Sequence, residues 1–199
     1  WEQKNVWFFL TFRLADSIPK KKIEQLKQDR ENWKKNHKKK KKYSKEEWKE
    51  YSRLFNKRVE KWMNAGYGSC LLKNEKNVKI VAEALRHFEG ERYELDEWVI
   101  MPNHVHVLVK PLKNYKVSEI THSWKSYTAN AINKANNRKG QLWLHESYDH
   151  IVRNAKALEA IRNYIRQNPV KAGITIVPGA SNVLGASSSG TQKQDAFDI

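Results

Sequence analysis

Between Pro102 and Pro111 the chain reads Asn-His-Val-His-Val-Leu-Val-Lys, and this run constrains the fold more than any other. In a strand, alternate residues share a face. Val105, Val107 and Val109 therefore make an obvious buried face, and His104, His106 and Leu108 point the other way. The spacing puts the two histidine Cα atoms roughly 6–7 Å apart, so both rings could bind one ion. Taken alone, the pair reads as ordinary surface or capped histidines rather than as a metal site.

The rest of the chain supplies partners for that strand. Val6–Leu14 is β-branched and aromatic and predicts a strand. Tyr93–Met101 predicts another, with Pro102-Asn103 as a turn. Helices are expected over Val78–Phe88, Val117–Ala135 and Ala155–Gln167, the last stopped by Asn168-Pro169. One or two short strands fall within Gln141–Val152. Strands and helices alternate with uneven spacing and no internal repeat, which predicts an α+β domain with a mostly antiparallel sheet over residues 1–178. From Gly179 onward the Gly/Ser-rich composition predicts a disordered tail.

Charge is concentrated in one place. The 199 residues carry a net +16, and residues 20–64 hold 18 Lys/Arg against 7 Asp/Glu, a net +11. Pro19 suits a helix start, and Ile23, Leu26, Arg30 and Trp33 follow at helical spacing. Ser44-x-x-Glu47 resembles a capping box ahead of a stripe of Trp48, Tyr51, Phe55 and Trp62. A helical hairpin with Lys38, Lys39, Lys40, Lys41 and Lys42 at its tip is expected, inserted into the domain. Such a block is a solvated loop, a phosphate-backbone contact or a membrane-surface helix. Most tryptophans are expected in cores, with Trp33 or Trp48 available to stack a base.

Other classes are excluded. The single Cys70 rules out an internal disulfide framework and a Cys-rich zinc site. No run reaches the ~18 apolar residues of a membrane span, and the first residues do not form a signal peptide. Trp1 in place of Met implies that the natural N-terminus is missing. The expectation is a cytoplasmic protein with a polyanionic partner.

On the last helix, Leu158, Ile161 and Ile165 make the apolar stripe. Tyr164 and Asn168 lie one turn apart beside it, able to converge on one point. A tyrosine at the edge of a core would look the same.

Three separated blocks carry a resemblance. Trp98-Val-Ile-Met-Pro-Asn-His-Val-His106 resembles the His-hydrophobe-His strand of the Y1 tyrosine transposases of the HUH superfamily. Trp143 with Glu146–Asn154 is similar to a second block of that family. Tyr164-Ile-Arg-Gln-Asn-Pro-Val-Lys-Ala-Gly173 resembles the third. Order and spacing agree over residues 5–176, most like the REP-associated branch related to the IS200/IS605 transposases. The basic block at 20–64 is longer than in compact members.

The resemblance implies a ferredoxin-like HUH fold and metal-dependent cleavage and rejoining of single-stranded DNA at hairpin-forming repeats. Tyr164 would be the nucleophile, giving a 5′-phosphotyrosine and a free 3′-OH. His104, His106 and Asn168 would hold Mg²⁺ or Mn²⁺, without a nucleotide cofactor. Arg153 and Lys125 would contact phosphates. Asp149 and His150 would orient a ligand or cap a strand, and His122 and His145 would lie on the surface. The protein would be a monomer or homodimer on hairpin DNA, with no membrane. The alternatives are a rolling-circle initiator or relaxase, a domesticated DNA-binding protein without strand transfer, and a metal-free RNA-processing protein of similar fold.

Overall fold

The computed structural model describes residues 6–38 and 42–171, Lys171 by its backbone alone. The expected tail, and Lys39, Lys40 and Lys41, lie outside the described residues. Four strands, β1 (Phe8–Arg13), β2 (Tyr93–Met101), β3 (His104–Pro111) and β4 (Tyr148–Ile151), form one sheet in the order β2-β3-β1-β4. Every neighbouring pair is antiparallel. This is an α+β protein with the strand order of a ferredoxin-like fold. Among the described residues no helix is long and apolar enough to cross a membrane.

Both faces of the sheet are buried. The valine face packs Val105, Val107 and Val109 with Phe8, Leu10 and Phe12 against α4 (Glu75–Arg86) and α5 (Val117–Ala135). The opposite face is covered by α6 (Ala155–Lys171), through Ala157, Ile161, Tyr164 and Ile165 packed with Phe9, Val99, Met101 and Leu108. Asn154 opens α6 by accepting the Ala157 N–H at 2.8 Å.

A bulge in β2 between Leu95 and Trp98 helps to dock that helix. It contains Asp96 and Glu97. Arg162 binds Asp96 through Nε and Nη2, and Arg166 binds Glu97 at 2.9 and 2.7 Å.

Asn168-Pro169 does not stop α6, contrary to the sequence expectation. Proline removes one N–H, but Pro169 falls in the final turn, two residues before the end, so the loss is confined to one late helical bond. Asn168 consequently stays helical and keeps to the buried face one turn beyond Tyr164.

The basic block is a helical hairpin between β1 and α4. One leg is α1 (Lys20–Asn36). The other is α2 (Lys45–Tyr51), a π turn over Ser52–Asn56 and α3 (Lys57–Asn64). Ser44 and Glu47 make the expected capping box. Leu26, Trp33 and Phe55 give the hairpin its own small core, with Tyr43, Tyr51, Val59 and Trp62 against it. Trp33 is spent on this core: its ring is buried, stacks on His37 and donates to Glu50 at 3.0 Å. It therefore does not offer a face to a base, whereas Trp48 is 53% exposed. Arg58 pairs with Asp29 across the legs at 2.5 Å, and Lys22 lies over Trp62 and Tyr67.

The base of the hairpin is pinned to the end of β1. Gly68 has φ +84 and lies so close to Asp16 that a Cβ would overlap the Asp16 carbonyl. The Ser69 N–H donates to Asp16 Oδ2 at 2.7 Å. Gly66 has φ +70 but open space around it. Gly66→Ala should cost about 1 kcal/mol, the left-handed backbone penalty alone. Gly68→Ala adds an overlap and should cost roughly 3 kcal/mol. Urea unfolding of both variants compares them, and equal losses would show that the close approach to Asp16 carries no energy.

Candidate active site

Strand pairing fills the face of the sheet that carries the histidines. Antiparallel partners share a face, so Thr11 stands opposite His106 and Arg13 opposite His104 on β1, with Val99 and Met101 opposite them on β2. His104 and His106 are 0% and 2% exposed, so neither is the surface histidine that an isolated His-x-His would suggest. Their rings lie 4.7 Å apart between centroids.

His104 has one nitrogen engaged and His106 has both. His104 Nδ1 donates to Asn103 Oδ1 at 2.7 Å. Its Nε2 is buried with no hydrogen-bond partner. His106 Nδ1 lies 2.7 Å from the Thr11 hydroxyl, and its Nε2 lies 3.4 Å from the Tyr164 hydroxyl. Phe9 stacks on His106 and meets Tyr164 edge-on.

From α6, Tyr164 and Asn168 reach the same place, at 7% and 2% exposure. The Asn168 amide nitrogen is buried close to the Tyr164 oxygen but makes no hydrogen bond of good geometry. Burial pushes the Tyr164 phenol well above its ordinary value. The Glu60 carboxylate raises it further, chiefly through its charge, and Asn168 acts in the other direction.

These donors fit a divalent ion. An imidazole nitrogen with a lone pair and no partner, a second imidazole beside it and an unpartnered buried amide are costly to leave unmade. Among the described residues no group of three or more His, Cys, Asp or Glu side chains could hold a metal. The Asn168 amide, beside the Tyr164 oxygen, adds an oxygen donor to the two imidazoles. A mixed N/O set of this kind takes several divalent metals.

The remaining sequence candidates lie elsewhere. Arg153 is exposed just before α6, near His150. Lys125 is committed to the loop before β4, donating to the His145 carbonyl at 2.7 Å and to Ser147 Oγ at 3.2 Å. Lys38 and Lys42 are exposed at the hairpin tip, and His122 and His145 are exposed. His150 shares the sheet face of Phe9, and Asp149 lies on the other.

Sequence reasoning missed Thr11, Arg13, Glu60 and Asn103. Alternation along β1 groups Phe9, Thr11 and Arg13, but only the pairing register says that they join the histidines. Glu60 sits in a charged stripe and carried no local signal. A cleft of about 130 Å³ leads to His104, lined by the hairpin base (Met63–Gly66), Lys73 and the β2–β3 turn. A larger cleft of about 220 Å³, around Arg92, Tyr115 and Trp124, holds none of the site residues.

With this geometry in view, the chain can be placed among known proteins. The family described as "Transposase IS200 like" matches residues 69–168, half of the sequence. The chain belongs to this IS200-like transposase family. No curated protein matches it. Among solved structures it is similar to a REP-associated tyrosine transposase bound to a REP hairpin, with 15% identity and a TM-score of 0.50. That match covers 98% of this chain and 96% of the other. It is also similar to a protein from Deinococcus radiodurans R1, at 11% identity and a TM-score of 0.36, covering 83% of this chain and 92% of that one. The hairpin and β1, with Thr11, Arg13 and Glu60, precede the matched family region.

Burial makes the metal-free site acid-sensitive. It holds His104 down at about 3, with the Arg13 charge adding to the effect, and His106 well below its ordinary value, with His104 adding. In the unfolded chain both rings return to about 6.5, so the unfolded state binds more protons throughout this range. The stability present above pH 6.5 is therefore lost as pH falls toward 3, by about 1.4 kcal/mol per pH unit for each ring. Urea unfolding without metal between pH 7 and 5 should show this slope, and the double variant His104→Gln/His106→Gln should flatten it. Equal slopes for the two proteins would contradict burial of neutral rings.

Proposed function

We propose that the protein is a metal-assisted tyrosine transposase that cleaves and rejoins single-stranded DNA at hairpin-forming repeats through a 5′-phosphotyrosine. One observation carries this reading: the Tyr164 oxygen, His106 Nε2, the unpartnered His104 Nε2 and the Asn168 amide converge in a single buried place. A protein that only bound DNA would need none of these groups together. The similar transposase with a REP hairpin bound supports a hairpin as substrate.

His104, His106 and Asn168 would hold the ion, Mg²⁺ or Mn²⁺. When bound, it would supply positive charge to polarise a phosphoryl oxygen and align the phosphate. Tyr164 would attack phosphorus as its phenolic O–H bond breaks. Glu60, whose carboxylate acts on that hydroxyl, would take the proton. The new bond joins the tyrosine oxygen to phosphorus, and the bond to the 3′ oxygen breaks. The released 3′ oxygen leaves as a hydroxyl on receiving one proton. The phosphate ester conserves the bond, so rejoining needs no nucleotide.

Binding would draw on different groups. Arg13, whose guanidinium donates to Ser17 at 2.8 Å, is the cation opposite His104, and Lys73 lines the cleft that leads to it. Arg153 and the hairpin tip would follow the backbone further out. Lys125, with two of its three N–H groups on His145 and Ser147, would turn the third to a phosphate.

The test is incubation with end-labelled single-stranded hairpin DNA and Mn²⁺. Wild type should form an SDS-resistant adduct that EDTA prevents. Tyr164→Phe should bind DNA yet form none, and His104→Ala and His106→Ala should resemble EDTA treatment. Glu60→Gln should slow adduct formation by about 10²-fold or more. An undiminished adduct from Tyr164→Phe would remove Tyr164 as nucleophile and turn attention to the exposed Tyr148.

The hairpin's charge should supply affinity more than specificity. Replacing Lys38, Lys39, Lys40, Lys41 and Lys42 with glutamine should weaken cognate and scrambled hairpins by similar factors. It should also flatten the plot of log K against log salt by up to about 0.7 per lost contact. An unchanged slope would make these lysines bystanders, and selective loss of the cognate hairpin would make them readers of it.

A further inference from the structure

Which nitrogen of a histidine can hold an ion depends on where its proton sits, and for His104 one neighbour settles the matter. Asn103 Oδ1, at 2.7 Å from Nδ1, can only accept. The proton is therefore on Nδ1, and Nε2 keeps its lone pair.

The orientation of the Asn103 amide is settled in turn by the base of the basic hairpin. Its Nδ2 donates to the Met63 carbonyl at 3.1 Å and the Tyr67 carbonyl at 3.2 Å. Turned over, the amide would set its oxygen against two carbonyls. Asn103 is 1% exposed, so water does not compete for these bonds. The two carbonyls belong to the segment that Gly68 and Ser69 pin against Asp16. Every donor along this path points the same way, from imidazole to amide to hairpin carbonyl.

We infer that Asn103 is a positioning residue: it ties the last turn of the hairpin to His104 and thereby keeps the His104 Nε2 lone pair facing the site. This rests on the reading of His104 as an ion ligand. The hairpin is then part of the frame of the catalytic centre as well as an arm for DNA. Outer groups of this kind are worth about 10–100-fold in metal affinity.

Nitrogen-15 NMR of the histidine rings in the metal-free full chain reads the tautomer directly, with His104→Gln assigning the signal. Electron paramagnetic resonance of Mn²⁺ reads affinity without DNA or turnover. Wild type should show His104 protonated on Nδ1 and bare on Nε2. Asn103→Asp keeps the acceptor, so it should keep the tautomer and at least wild-type Mn²⁺ affinity. It loses both donated bonds, so amide hydrogen exchange over residues 63–70 should accelerate. Asn103→Leu should shift the proton toward Nε2 and weaken Mn²⁺ binding by about 10–100-fold.

The inference is overturned by any of three results. Wild type could carry its proton on Nε2, Asn103→Leu could keep the wild-type tautomer, or Asn103→Asp could leave exchange over 63–70 unchanged. The Asn103→Asp arm and the wild-type spectrum decide the matter even if Asn103→Leu does not fold. Wild type that shows the expected tautomer but binds no Mn²⁺ would sink the ion reading and leave the positioning role of Asn103 standing.

Discussion

Two neutral imidazoles sealed between a sheet and a helix set the terms for everything around them. Buried polar nitrogens are tolerated only when partnered, and here the partners come from three different elements of the fold. Thr11 comes from β1, Asn103 from the β2–β3 turn and Tyr164 from α6. The antiparallel register lines these groups up, because each residue opposite a histidine must share its face. The one ring nitrogen left without a partner, on His104, is where a cation has most to offer.

The helix that closes the site is positioned from both of its sides. Ile161 and Ile165 pack on the sheet, while the bulge in β2 turns two carboxylates toward Arg162 and Arg166. Those arginines are thereby engaged in docking the helix. Tyr164 and Asn168 occupy the buried face between these contacts. The same closeness that aligns the phenol also desolvates it, so without a cation it stays protonated.

The hairpin combines two physical roles that its composition does not separate. Its tip is exposed and basic, suited to long-range attraction of a polyanion. Its base meets the histidine face, where the Glu60 charge acts on Tyr164 and Asn103 donates to two backbone carbonyls. A small aromatic core of its own joins the two ends, so the basic arm and the site's frame are one continuous element.

Local pattern determined a good deal. Alternation in Pro102–Pro111 separated the histidines from the valines, and the four-residue step placed Asn168 next to Tyr164, because both periods are set by backbone geometry alone. The capping box, the basic hairpin and the antiparallel α+β class were legible for the same reason. Pairing decided the rest. Nothing within β1 says that Thr11 and Arg13 face the histidines, nothing in a charged helix marks Glu60 out from its neighbours, and Asn103 looks like an ordinary turn residue beside a proline. Even the end of α6 was misjudged, because proline's local penalty was small at the last turn. Short-range periodicity assigns a side chain to a face, but which faces meet, and which nitrogen is left without a partner, is settled only when strands take their register and the helices close over them.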